Sequence, residues 1–352
     1  MLVAPDQTQN AQVLVVNAGS SSLKLALFDA ALTEVRAARI TEIDAAGHGP
    51  ALLAGLAQMG VDVAQLTAAA HRVVHGGADL TAPCRLTAQA IAAIDACTPL
   101  APLHNPANLL AIRALAALAP DLPQYASFDT AFHATNPAVA TRYAIAPRHH
   151  VSGLRRYGFH GLSYAGLVQS LRAQGNAPLP ARLLALHLGN GASLCAVLNG
   201  QSVATTMGYS PLDGLTMGTR VGSIDGNAVL ALAQRHGIDG AAHILNRESG
   251  LLGLGGHSDM RALHAAGTPE ARFAVQHFCY WAVRHAGAMM AAMGGLDAIA
   301  FTGGIGENDL AVRTAILDHL AWAAAGKQVY VVPAAEERQI AQEAMTEIAA
   351  GR

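Results

Sequence analysis

The sequence predicts an α/β chain made of two structurally related halves. Three observations lead there. Apolar runs of strand length alternate with longer helical patterns, as in α/β architectures. A hairpin with a tip of small polar residues opens the chain, and a second of the same kind recurs about 170 residues later. The 352 residues, 52% hydrophobic and only 13% charged, exceed the usual size of one domain and supply apolar material for two cores.

The first hairpin runs through QVLVV (12–16), the turn NAGSSS (17–22) and LKLALFD (23–29). The second pairs RLLALHL (182–188) with LCAVL across the turn GNGAS, and Asn199-Gly200 then turns the chain into a third strand. The repeat is one of architecture, since the wording of the two hairpins differs. HRVVHGG places Arg72 just after a strand. Asn105 and Pro106 read as the cap and first residue of a helix reaching Ala119. Asp225 caps a helix that stops before Gly237. Thr268 and Pro269 open the longest helical pattern, which runs to about Met293 ahead of Gly294 and Gly295. The short apolar strand DAIAFT leads into a turn, GGIGEND, and a further helix; QVYVV is the last strand, and the tail from Ala335 is helical.

Composition excludes several classes. A net charge of −2 leaves no basic footprint for nucleic acid. Of 22 basic residues only Lys24 and Lys327 are lysine, so arginine, the planar binder of carboxylates and phosphates, dominates. Cys84, Cys97, Cys195 and Cys279 form no C-x-x-C and no disulfide framework, which fits a reducing cytoplasm. The N-terminal MLVAPDQTQNAQ lacks the pattern of a signal peptide, and no apolar run reaches the ~18 residues of a membrane span. A cytoplasmic location with no membrane partner is the expectation. Walker A, HExxH and GxSxG motifs are absent. His71 and His75 share i, i+4 spacing, but RVV between them reads as strand, so they are not a metal pair.

Three glycine-rich turns remain, NAGSSSLK, HLGNGAS and FTGGIGEN, each following an apolar strand. Turns without bulky side chains present successive backbone N–H groups to phosphate oxygens. Arginines and acids recur between them: Arg72 in HRVVHGG, Asp129 in SFDTAFH, Arg155 and His160 in RRYGFHG, and Arg220 in MGTRVGSIDG. Such a set suits phosphoryl transfer, which needs positive charge over the phosphoryl oxygens and alignment of donor with acceptor.

NAGSSSLK, HRVVHGG, APLHNP, FDTAFH, RRYGFHG, HLGNG, MGTR and GGIGEN, in this order, closely resemble the acetate kinase family. The resemblance implies an α/β fold of two duplicated ribonuclease-H-like (actin-like ATPase) domains with an interdomain cleft. It divides the chain into an N-terminal lobe, residues 1–131 plus about 337–352, and a C-terminal nucleotide-binding lobe, about 132–336. It implies a catalytic set of Arg72, Asp129, Arg155, His160 and Arg220. The nucleotide would meet Asn17, Ser20, Lys24, His187, Leu188, Gly189, Asn190, Gly191, Asp259, Met260, Arg261, Gly304, Ile305, Gly306, Glu307 and Asn308. Asn17 and Glu336 would hold Mg²⁺, and Val74, Leu103, Phe159 and Pro211 would surround the substrate's methyl group beside Arg72. PAAEER (333–338) keeps Glu336 but departs from the family pattern around it, with Ala334 and Ala335 in place of polar residues.

The implied reaction is reversible phosphorylation of a short-chain carboxylate, foremost acetate, by ATP with Mg²⁺, in a homodimer. Propionate or butyrate kinase is the alternative within the class. A non-catalytic nucleotide-dependent module on the same superfold is the alternative outside it.

Overall fold

The computed structural model describes residues 11–44, 47–149, 151, 153–175 and 178–351; residues 1–10 of the stretch read for a signal peptide lie outside them. Two compact units emerge. One comprises the described residues up to Phe132 and those from Ala335 onward, the other His133–Ala334.

The first unit is built on a six-stranded sheet. Its strands are β1 (Val13–Ala18), β2 (Ser22–Phe28), β3 (Glu34–Thr41), β4 (Ala68–Val73), β5 (Cys84–Arg85) and β6 (Gln124–Phe128), in the order β3-β2-β1-β4-β6-β5. β1 pairs antiparallel with β2 and parallel with β4, and β4 pairs parallel with β6. The central strands are buried almost throughout, as parallel strands covered by helices must be. Leu14, Val16, Leu23 and Leu25 join Leu52 and Leu56 of the helix His48–Met59, and Ala111 and Leu115 of the helix Asn105–Leu118, in one core. The terminal helix Glu336–Ala349 packs on β1, β4 and β6.

The second unit repeats this plan. Its strands are β7 (Arg182–Leu188), β8 (Ala192–Leu198), β9 (Gln201–Thr205), β10 (Ala298–Thr302) and β11 (Gln328–Val331), in the order β11-β10-β7-β8-β9. β7 pairs antiparallel with β8 and parallel with β10, and β10 pairs parallel with β11. β7 to β11 therefore repeat the pairing of β1, β2, β3, β4 and β6, so the resemblance between the hairpins extends to whole sheets. No helix among the described residues is long and apolar enough to cross a membrane.

Several elements stand where the sequence puts them. Asn199 and Gly200 both adopt positive φ, as the tight hairpin turn requires. Thr268 caps the helix Pro269–Met293 by accepting from Ala271 N–H, and Gly294 closes it in the left-handed conformation.

Four readings need correction. His104, not Asn105, occupies the cap position; Asn105 is already helical, Pro106 follows it, and the helix ends at Leu118. The reason lies inside the fold, where the buried Asn105 amide accepts from His75 N–H and donates to the His75 carbonyl. Asp225 caps as expected, but the helical segment resumes after a break at Gly237 (φ 73°, ψ 168°) and extends to Arg247. Gly303–Asn308 is itself a helical turn, because the Glu307 carboxylate accepts from Gly303 N–H at 2.9 Å and satisfies a donor at the start. Arg72 lies within β4 rather than after it.

His71, also on β4, is 1% exposed, and its Nε2 meets Gln124 Oε1 at 2.7 Å. Burial drives its pKa from 6.5 down to about 4. Between those values only the unfolded chain takes up the proton, so this stability is present above pH 6.5 and lost as pH falls towards 4. About 2 kcal/mol of the loss between pH 7 and pH 5 is expected from this residue. Denaturant unfolding of wild type and His71→Gln at both pH values checks it. The variant should lose less stability on acidification, and an equal loss would refute the assignment.

Candidate active site

Each unit carries its own cluster, and both form where parallel strands end. In the first unit Asn17 lies near the end of β1, Arg72 near the end of β4, and Asp129 directly after β6. Because these three strands are parallel neighbours, their carboxyl ends share one edge of the sheet, the usual place for a site in such folds. Arg72 Nε donates to both Asp129 oxygens at 3.0 and 3.2 Å, and a terminal nitrogen reaches Oδ2 at 2.6 Å. Its other terminal nitrogen donates to Asn17 Oδ1 at 3.2 Å. Burial opposes the Arg72 charge, but Asp129, Glu336 and Glu337 together outweigh it, and the guanidinium pKa lies above its ordinary value.

The first turn of the terminal helix adds two acids. Glu337 accepts from Asn17 Nδ2 at 3.1 Å and pairs with Lys24 at 2.9 Å. Burial works against the Glu337 charge, yet Lys24 and Asn17 bring its pKa below the ordinary value. Glu336 faces Arg72, Asp129 and Glu337, and burial first, then the neighbouring acids, push its carboxyl above the usual range despite Arg72. Lys24, expected to meet the nucleotide, is thus held by Glu337. Ser20 is exposed at the tip of the first hairpin.

Two asparagines anchor the turn after β4. Asn108 accepts from Val74 N–H at 3.1 Å and donates to the Ala18 carbonyl at 2.7 Å, while Asn105 holds both polar groups of the His75 main chain. Val74 is thereby fixed beside Arg72 and is only 4% exposed, whereas Leu103 is 50% exposed.

In the second unit, His160 caps the helix Gly161–Ala173 in the left-handed conformation (φ 58°). Its ring stacks on that of His187 with centroids 4.2 Å apart. Ser193 Oγ meets His160 Nδ1 at 2.9 Å, and Ser163 Oγ meets His187 Nδ1 at 2.8 Å. A Cβ at Gly191 would lie 3.2 Å from His160 Nε2 and 3.9 Å from an Arg220 terminal nitrogen, so both side chains face the glycine turn. Arg220 also donates to the Pro211 carbonyl at 3.4 Å. Phe159 is buried, with its carbonyl held by His133 Nε2 at 2.9 Å.

Beside this cluster a cavity of about 780 Å³ is lined by Gly189, Asn190, Asp259, Met260, Arg261, Gly304, Ile305 and Asn308, with Ser258, His264, Asp309 and Leu310. It brings together residues of three segments far apart in the chain. Asp259 caps the helix Met260–Ala266 and pairs with Arg261 at 3.0 Å. Other expected residues have different places. The Leu188 side chain is wholly buried, Gly306 is a buried residue of the helical turn itself, and the Glu307 carboxylate accepts from Gly303 and Ala334 N–H. Arg155 lies over the Tyr157 ring, donates to the Arg156 carbonyl and bridges to Arg142.

Sequence reasoning missed Asn105 as an internal anchor, and also Asn108, Glu337, Ser163, Tyr164 and Ser193. Polar residues at i, i+3 on the apolar face of NPAN were the available signal for the two asparagines.

Two sheets of one topology, an arginine at the end of β4 and a cavity against glycine turns are the marks of a phosphotransferase of the duplicated actin-like ATPase fold. Residues 50–330 match the Acetokinase family, and the chain belongs to that family. It is 40% identical to acetate kinase of Nitrobacter hamburgensis, covering 95% of each chain. It is 43% identical to acetate kinase of Rhodopseudomonas palustris over 88% of this chain and 86% of the relative. Among solved structures it is similar to acetate kinase of Porphyromonas gingivalis (TM-score 0.88, 31% identity, 96% and 100% covered). It is also similar to a propionate kinase of Francisella tularensis (TM-score 0.87, 33% identity, 95% and 98% covered). The family is one of ATP-dependent kinases with a carboxyl acceptor, which generally need a divalent metal.

Proposed function

We propose that this chain transfers the γ-phosphoryl group of ATP reversibly to acetate, giving acetyl phosphate and ADP. The observation that carries the reading is the bidentate Arg72–Asp129 pair at the strand ends of the first unit. Asp129 is committed to Arg72 and so organises the site rather than accepting a proton. The reaction asks for no base, because a short-chain carboxylate, with a pKa near that of Asp or Glu at about 4, is ionised at pH 7. Arg72 receives the carboxylate, with Val74 limiting the length of its acyl chain. In the second unit, which we assign as the nucleotide-binding lobe, Gly189–Gly191 and Gly304 offer main-chain donors to phosphates. His160 and Arg220 there stabilise charge on the transferring group.

The metal assigned is Mg²⁺. Glu336 and Asn17 supply hard oxygens, and Glu336 lies among Asp129 and Glu337 with an acid surplus that a cation relieves. No group of three His, Cys, Asp or Glu suited to a metal occurs among the described residues. When bound, Mg²⁺ neutralises phosphate charge. Glu336→Ala is expected to raise the Mg²⁺ concentration for half-maximal rate several-fold and to lower kcat, leaving the carboxylate KM unchanged. A wild-type Mg²⁺ midpoint with only a lowered Tm would remove Glu336 from the metal and leave it a first-turn acid favoured by the helix dipole.

Trapping the acyl phosphate as a hydroxamate, with acetate, propionate and butyrate as acceptors, tests the function. Acetate should give the highest kcat/KM and propionate a lower but measurable one, since one methylene discriminates by only ~1–3 kcal/mol. No acyl phosphate from any acid would overturn the reading. The same reading includes a cytoplasmic homodimer, and sedimentation velocity showing only monomer would exclude the dimer.

A further inference from the structure

Behind His160 lies a chain of hydroxyls that the proposed reaction does not itself require. Tyr164, one turn along the helix that His160 caps, is wholly buried, and its phenol oxygen lies 2.6 Å from Ser193 Oγ. Ser193, equally buried on β8, lies 2.9 Å from His160 Nδ1. Tyr164 also packs edge-on against the His133 ring, with centroids 5.7 Å apart. We propose that Tyr164 and Ser193 are positioning residues that hold His160 as the tautomer with its proton on Nε2, aimed at the phosphoryl group.

The proposed relay runs from the phenol towards the imidazole. Burial keeps the phenol protonated by raising its pKa well above the ordinary value. In the proposed relay Tyr164 gives its single proton to Ser193 Oγ, 2.6 Å away. Ser193 then gives its own to His160 Nδ1, since a hydroxyl has only one. An imidazole that accepts at Nδ1 carries its proton at Nε2, the nitrogen facing Gly191 and Arg220. The partner of one ring nitrogen thus sets the function of the other, as second neighbours do for histidine ligands and catalysts. Three side chains fixed in β8 and one helical turn keep the donor aligned before substrate arrives, which lowers the cost of reaching the transition state.

This inference rests on the kinase reading above, and its tests separate the two. Tyr164→Phe and Ser193→Ala should each lower kcat about tenfold and leave the KM values for ATP and acetate within about twofold. Ser193→Thr, which restores the hydroxyl, should recover most of the rate. In a His160→Ala background, Tyr164→Phe should cost nothing further. Nitrogen NMR of wild-type protein labelled at histidine should show His160 protonated at Nε2 and bare at Nδ1, a readout independent of turnover and of variant folding. An unchanged kcat in Tyr164→Phe, the same tenfold loss without His160, or a wild-type Nδ1–H tautomer would each overturn the relay. An inactive wild type with the Nε2–H tautomer would overturn the kinase reading and leave the positioning of His160 intact.

Discussion

Arg72→Ala is expected to lower kcat/KM for acetate at least ~100-fold, a transition-state loss of order ~3 kcal/mol. Arg72 is locked by three contacts to Asp129 and one to Asn17, so its charge is in place before substrate binds. Removing it also leaves Asp129, only 2% exposed, as a buried carboxylate without its partner. Part of the effect will therefore appear as lowered stability, and kinetics must be measured on protein shown to be folded. Arg72→Lys separates charge from geometry, because an ammonium cannot reproduce a bidentate fork and should recover little. Arg220→Ala should cause a loss of similar size in the second unit. Near-normal kcat/KM in a folded Arg72→Ala protein would remove this residue from the reaction and with it the argument that Asp129 organises rather than acts as a base.

Gly303→Ala carries the second large effect, on the nucleotide side. Gly303 has φ +81°, where a side chain is strained, and a Cβ there would lie 2.7 Å from the Leu188 carbonyl oxygen. The conformation alone costs about 1–2 kcal/mol for a residue with a side chain, and the clash is with backbone that cannot rotate away. The turn must shift, and with it Gly304 and Ile305, which line the cavity beside Gly189 and Asn190. The expected result is a rise in the KM for ATP of tenfold or more, with a lowered Tm and a carboxylate KM close to wild type. Equal rises in both KM values would mean that the damage is global and that this turn has no particular role towards ATP.

The elements legible in the sequence are those whose causes are local. The hairpin tips, the Asn199-Gly200 turn and the Thr268-Pro269 start each follow from the conformational preference of one or two residues. The three glycine turns were legible for the same reason. Asn105 shows where such reading fails: beside Pro106 it has the wording of a cap, yet its amide is needed by the His75 main chain thirty residues earlier. The family motifs named Arg72, Asp129, His160 and Arg220, but Arg72 and Asp129 stand 57 positions apart, and their bond exists only because β4 pairs with β6.

Local chemistry and apolar patterning were enough to state an α/β chain with two related halves, phosphate-type turns and a phosphoryl-transfer set of cations. The order of strands, the closing of the terminal helix over β1, β4 and β6, and the bonds of Glu337 to Asn17 and Lys24 arose only in the folded molecule. The same holds for the hydroxyls behind His160. Propensity acts over a few neighbouring residues, whereas a buried polar atom takes whichever partner packing brings within about 3 Å, however distant in the chain.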